Sequence, residues 1–252
     1  MIEIKNIIKS FDGNTVLKNI SAIFDSGKTN MIIGQSGSGK TVLMKCIIGL
    51  YRVDDGRVEY DGRNITEMKM SEIRLLRREV GMLFQGSALF DSMTVLQNVL
   101  FPLEMFSEKI KKEQLERAKW CLTRVNLEEK SFSLMPSEIS GGMQKRVAIA
   151  RALVLQPKYL FCDEPNSGLD PKTSLVIDKL IHELTQEFDI TTIINSHDMN
   201  SVMEIGENII FINEGEKAWQ GGKEQIFNSQ NTELEDFVFA SELYKKVKKA
   251  HE

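Results

Sequence analysis

The chain lacks the residues that mark a secreted, metal-bound or membrane-spanning protein. It has only three cysteines in 252 residues, Cys46, Cys121 and Cys162. They are too few for a disulfide framework and their spacing suits no metal, so buried free thiols in a reducing compartment are expected. Positive charge is not in excess: the formal net charge is −4, which gives no basic footprint for nucleic acid. Long apolar runs are missing too. The best candidate, VLMKCIIGL at 42–50, is broken by Lys45 and is too short for a bilayer. The opening MIEIKNIIKS has no basic region leading into an apolar run, so no signal peptide is expected. Repeats and low-complexity tracts are also absent. Work at a membrane would therefore go through a partner.

What is present is an ordinary globular composition, 42% hydrophobic and 27% charged, in a chain long enough to bury a full core. Short apolar runs at 2–7, 20–24, 30–34, 56–60 and 80–84 are bounded by Gly, Asp and Asn and predict strands. A helix is expected over 40–50, directly after the third run. From about Ser87 to Gln156 the pattern turns helical. Strands return at 158–164, 189–197 and 208–213, with helices at 171–188 and 199–206 between them. This order predicts an α/β fold: a parallel-sheet core with N-terminal antiparallel strands and a helical subdomain inserted at approximately 87–156. Residues 240–252, with Lys245, Lys246, Lys248 and Lys249, are expected to form a short basic helix.

Gly34-Gln35-Ser36-Gly37-Ser38-Gly39-Lys40-Thr41 fits G-x-x-x-x-G-K-[ST] and stands between a predicted strand and a predicted helix. In such a loop, glycines let successive backbone N–H groups face phosphate oxygens. Lys40 would reach the β- and γ-phosphates, and Thr41 would offer a hydroxyl to Mg²⁺. The run YLFCDE ends in two carboxylates. Asp163 is a candidate Mg²⁺ ligand, and Glu164 the candidate general base for an attacking water. His197 closes another apolar run; it is either a structural histidine or a contact to the γ-phosphate. Gln85 follows VGMLF at a comparable strand end and is within reach of the metal or the water. Phe11 is either a core aromatic or a platform for a base. Ser140, Gly141 and Gly142 open a helix whose start also suits an anion. No N-K-x-D segment is present to read guanine.

Taken in order, these segments resemble the nucleotide-binding subunit of ATP-binding cassette (ABC) transporters, over nearly the whole chain. Phe11 matches the adenine-stacking aromatic, 34–41 the Walker A loop and Gln85 the Q-loop. Ser140-Gly141-Gly142-Met143-Gln144 matches the signature, 159–164 the Walker B strand, Ser167-Gly168-Leu169-Asp170 the D-loop, and His197 the switch histidine. The resemblance implies a P-loop NTPase (RecA-like) fold, ATP and Mg²⁺ as cofactors, and two copies facing head to tail. The signature of one copy would then close over ATP held by the other, which explains two phosphate-seeking helix starts in one chain.

Two departures stand out. Met143 occupies the position of a glutamine, and Phe11 that of a common tyrosine. The S-G-G-M signature and the stretch Phe84-Gln85-Gly86-Ser87-Ala88-Leu89-Phe90 are similar to cassettes of Mla/MCE phospholipid-trafficking systems. That likeness implies an inner-membrane permease and an MCE lipid-binding protein as partners, a peripheral place on the cytoplasmic face of the inner membrane, and no nucleic acid. The alternatives are an importer or exporter ATPase for another substrate, such as an amino acid or lipoprotein, and a soluble cassette outside transport.

Overall fold

The structure, a computed structural model, describes residues 1–239. The basic segment 240–252 lies outside the described residues. The chain opens with a hairpin of β1 (Ile2–Phe11) and β2 (Asn14–Phe24). Asp12 and Gly13 turn it with φ of 48° and 81°, the left-handed pair that a two-residue hairpin needs. β3 (Thr29–Ile33) runs into the loop 34–39 and α1 (Lys40–Ile47). Then come β4 (Asp55–Tyr60), β5 (Arg63–Asn64), α2 (Met70–Arg78) and β6 (Val80–Leu83). The helices α3 (Val95–Phe106), α4 (Lys111–Arg124) and α5 (Gly141–Leu153) follow. The chain then returns through β7 (Tyr159–Asp163), α6 (Pro171–Glu187), β8 (Thr191–Asn195), α7 (Met199–Ile205), β9 (Asn208–Asn213) and β10 (Glu216–Gly221). It closes with α8 (Lys223–Phe227) and α9 (Thr232–Val238).

Two sheets result. The smaller has the order β2-β1-β4-β5 and is antiparallel. The larger has the order β10-β9-β3-β8-β7-β6, parallel except for the β10 edge. All five residues of β3 and of β8 are buried, as expected for central parallel strands covered on both faces. Alternation along each strand divides the core. Met31, Ile33, Leu160, Cys162 and Ile194 face a layer built by α3–α6. Ile32, Tyr159, Phe161 and Ile193 face α1 and the antiparallel sheet. The three cysteines are buried free thiols.

The structure corrects the coarse reading in three places. Residues 87–94 are not helical: Ser87 and Ala88 have φ of 61° and 48°, outside helix space. α3 begins only at Val95, capped by Thr94, whose hydroxyl accepts from Gln97 N–H while Thr94 N–H donates to Gln97 Oε1. α2 was not anticipated: it is a short, Arg-rich surface helix in which Leu76 is the only buried side chain. Residues 216–238, forming β10, α8 and α9, were likewise unread. Val95, Val99, Ala118 and Leu122 share one continuous core with the parallel sheet.

Candidate functional site

β3 delivers the glycine-rich loop to the edge of the larger sheet. Gly34 has φ of 150°, and a Cβ there would sit 2.2 Å from the Ile212 carbonyl, so only glycine fits. Gly39 precedes α1, and no side chain caps that helix start. Its free N–H groups and positive dipole end therefore face the loop's concavity. Lys40 is buried, and its Nζ donates to the carbonyls of Gly34 and Gln35, both at 2.8 Å. Burial lowers its pKa, while the carboxylates of Glu164 and Asp163 pull it back up. The buried Ser38 hydroxyl has no hydrogen-bond partner. An uncapped helix start, an unpartnered hydroxyl and a lysine held only by carbonyls fit a triphosphate.

β7 and β8 are parallel neighbours, with Asp163 opposite Asn195. Both strands end at the same edge as the loop, so their last residues converge there. Asn195 Nδ2 donates to Asp163 Oδ1 at 3.1 Å. Glu164 turns out of the strand with φ of 48°, and its N–H is held by the Asn195 carbonyl at 3.0 Å. That turn brings its Oε1 to 2.9 Å from His197 Nδ1. The Glu164 side chain is 17% exposed and His197 63% exposed, so the pair opens toward solvent on the histidine side. Asp163, Thr41 and Gln85 offer carboxylate, hydroxyl and amide oxygens, the hard donor set that suits Mg²⁺.

Gln85 lies two residues beyond β6, and its Nε2 is 3.3 Å from Ser167 Oγ on the loop after Glu164. The backbone around it is held from α5. The buried Lys145 Nζ donates to the Gln85 carbonyl, and Arg151 donates to the carbonyls of Ser87 and Ala88, each at 2.8 Å. Burial lowers the pKa of both cations. Sequence reasoning missed Lys145 and Arg151. Their signal was two cations on the buried face of an apolar helix, where only a specific acceptor makes a charge tolerable.

Ser140 caps α5, with its hydroxyl accepting from Met143 N–H at 3.3 Å. Gly142 lies against the start of α6: a Cβ there would be 2.8 Å from Thr173 Cγ2. Asp170 caps α6 and accepts from the N–H groups of Lys172 and Thr173. The Thr173 hydroxyl, ahead of those N–H bonds, holds its carboxyl below the usual range. Among the described residues, no hydrogen bond joins Ser140, Gly141 or Gly142 to residues 34–41 of the same chain. Phe11 ends β1 and is 38% exposed, so it is not a core aromatic. Its ring meets the edge of Tyr51 at 5.4 Å, with Lys9 Nζ 5.1 Å from its centroid.

Residues 17–167 match the ABC transporter family. The chain belongs to that family. The cassette is 38% identical to a methionine import ATP-binding protein of Clostridium tetani, over 96% of the chain and 76% of that protein. It is 40% identical to the methionine import ATP-binding protein of Haemophilus influenzae, over 94% and 70%. A probable ribonucleotide transport ATP-binding protein of Mycobacterium leprae is 34% identical, over 94% and 68%. Among solved structures, the cassette MJ0796 as a dimer bound to ADP and Pi superposes with a TM-score of 0.80 at 33% identity, covering 88% of this chain and 98% of that one. The fold is thus that of a P-loop NTPase, and the cassette is an ATP-binding, ATP-hydrolysing transporter subunit. The phospholipid specialisation finds no support in these relatives, whose names point to methionine and ribonucleotide transport. An MCE partner finds none either.

Proposed function

We propose that the cassette powers solute import through a separate membrane permease, with an amino acid as the cargo class. The methionine-import relatives support that class. Phospholipid cargo is the second reading, and it rests on Met143 and the stretch 86–90 alone. In either case the cargo path lies in the permease, because no described helix is long and apolar enough to cross a membrane. The cassette would then sit peripherally, on the cytoplasmic face of the inner membrane. Residues 1–239 form the ATPase domain, with 87–156 as its helical insertion.

In this reading the loop from Gly34 to Gly39 holds the triphosphate through Gln35, Ser36, Gly37 and Ser38 N–H groups. Lys40 exchanges its two carbonyl partners for phosphate oxygens. Phe11 stacks on the adenine. Thr41, Gln85 and Asp163 would hold Mg²⁺, whose charge would offset that of the phosphates. Glu164 accepts a proton from the attacking water. His197, already 2.9 Å from Glu164, orients that carboxylate and the water. Ser140, Gly141, Gly142 and Asp170 act across a head-to-tail dimer. The dimeric state of the cassette MJ0796 supports the pairing of two copies.

The observation that carries the ATP-hydrolysing part of the proposal is the convergence of Lys40, Asp163, Glu164 and His197 at one sheet edge. Its test is Glu164→Gln. Loss of a positioned base should lower turnover about 10²–10⁴-fold. ATP binding should hold or tighten, since a negative charge beside the triphosphate is gone. Wild-type turnover in this variant, or lost ATP binding, would give Glu164 another role.

A further inference from the structure

Behind the Glu164–His197 pair, the loop 164–170, α6 and α7 enclose a cleft of about 890 Å³. Asp178 of α6 is on its wall and is 1% exposed, the most deeply buried carboxylate among the described residues. None of the roles assigned above uses it. Asn166, two residues after Glu164, donates from Nδ2 to Asp178 Oδ1 at 2.7 Å and to Ser201 Oγ of α7 at 3.0 Å. The three side chains thus tie together the loop, α6 and α7. Asn166 Oδ1 is buried and has no partner. An ionised carboxylate can only accept, so it fixes which end of the Asn166 amide faces it.

The loop so held carries two site residues and is itself turned by local bonds. Ser167 N–H donates to the Glu164 carbonyl at 3.2 Å, and Leu169 N–H to the Asn166 carbonyl at 3.1 Å. Ser167 also meets Gln85. α7 begins two residues after His197. A change at Asn166 is therefore transmitted to Glu164 on one side and, through Ser201, to the helix behind His197 on the other.

We propose that Asp178 is a positioning residue for ATP hydrolysis, which through Asn166 and Ser201 locks the loop bearing Glu164 to the helix that follows His197. The proposal rests on Glu164 as the base. Its energetic signature is that Asp178 is kept despite an unfavourable site. Burial pushes its carboxyl up to about 6, against hydrogen bonds from Ser201 and Asn166 that lower it. Asp198, which caps α7, and Glu204 within that helix add repulsion, with Glu204 itself 3.2 Å from Lys179. The buried thiol of Cys162 on β7 also faces it. A neutral residue would be more comfortable there, so the charge has a use other than stability.

Asp178→Asn, Asn166→Ala and the double variant of the full chain separate the roles. In Asp178→Asn either orientation of the Asn166 amide is satisfied, and the loop loses its single setting. Each single variant should lower kcat about tenfold with KM for MgATP within about twofold, the pattern of misplaced reacting groups. The double variant should be no slower than the slower single. Asp178→Asn should melt no lower than the unaltered chain at pH 8. Singles with kcat within about twofold of the unaltered chain, losses that multiply in the double, or a kcat loss that follows a fall in melting temperature would each overturn the proposal. Glu164→Gln, measured alongside, should lose turnover; wild-type turnover in that variant would instead overturn the reading of Glu164 on which this one stands.

Discussion

His197 Nδ1 and Glu164 Oε1 meet at 2.9 Å although 33 residues separate them in sequence. Two neighbouring parallel strands, β7 and β8, bring them together by ending at one edge. The left-handed turn at Glu164 completes the approach by rotating its carboxylate away from the sheet axis. In the proposed function, where Glu164 is the base and His197 orients it, the pair is thus held by backbone before any nucleotide arrives, which is the preorganisation that hydrolysis needs.

Phe11 is exposed at the end of β1, so its ring is available to a ligand. Phe11→Ala should weaken ATP binding by about 1–3 kcal/mol, the scale of base–aromatic stacking. Phe11→Tyr should bind as the unaltered chain does. Calorimetric titration with ATP checks both. Unchanged affinity in Phe11→Ala would remove the residue from the nucleotide site.

The Asp178 carboxyl gives a pH dependence whose sign is fixed by its raised value. Its ordinary value is about 3.9, and in the fold it is about 6, so the folded chain binds this proton more readily. Stability is therefore reduced by the ionised form above about pH 6, and the reduction fades as pH falls toward 4. Asp178→Asn should gain at most about 3 kcal/mol at pH 8, from roughly two pKa units at 1.36 kcal/mol each. The gain should shrink steadily down to pH 5. Denaturant midpoints at pH 8, 6 and 5 measure it, and a gain that grows with acidity would contradict the assignment.

Much of this site could be read from residue patterns, because phosphate chemistry demands particular types at fixed spacing. The loop 34–41 and the strand end at Asp163 are where the patterns placed them, whereas β8 stops at Asn195 and His197 lies two residues beyond the strand end expected for it. What stayed hidden depends on tertiary contact. Lys145 and Arg151 look like ordinary helix cations until the structure shows their carbonyl partners 60 and more residues away. The Ser87–Ala88 turn was read as helix because its left-handed backbone carries no glycine. Asn166 and Asp178 are unremarkable in sequence, and only packing makes them a buried pair.

Arg151 also lies under Phe90, with its guanidinium 5.9 Å from the ring centroid. Phe84, Phe90, Phe101 and Phe106 line a cleft of about 490 Å³ beside the Gln85 segment. Phe84, Phe90 and Phe106 are each more than 40% exposed, so apolar surface is concentrated there. In the transporter reading this is the permease contact. Phe90→Asp should abolish co-purification with the permease and leave ATP binding unchanged. An intact complex would exclude the segment as the main contact.

In the proposed dimer, Ser140 serves ATP held by a second copy. Lys40→Ala and Ser140→Arg should each be inactive as homodimers, the first for poor ATP retention and the second because a bulky side chain blocks closure at both sites. In a tagged heterodimer of the two, both defects fall on one composite site, and the other joins an intact loop to an intact signature. The measurement is nucleotide trapped per verified heterodimer, which does not depend on how the two sites are coupled in hydrolysis. Head-to-tail assembly predicts that one site regains ATP occlusion. Action of Ser140 on its own chain's nucleotide would leave both sites damaged, and no recovered occlusion would contradict the composite site.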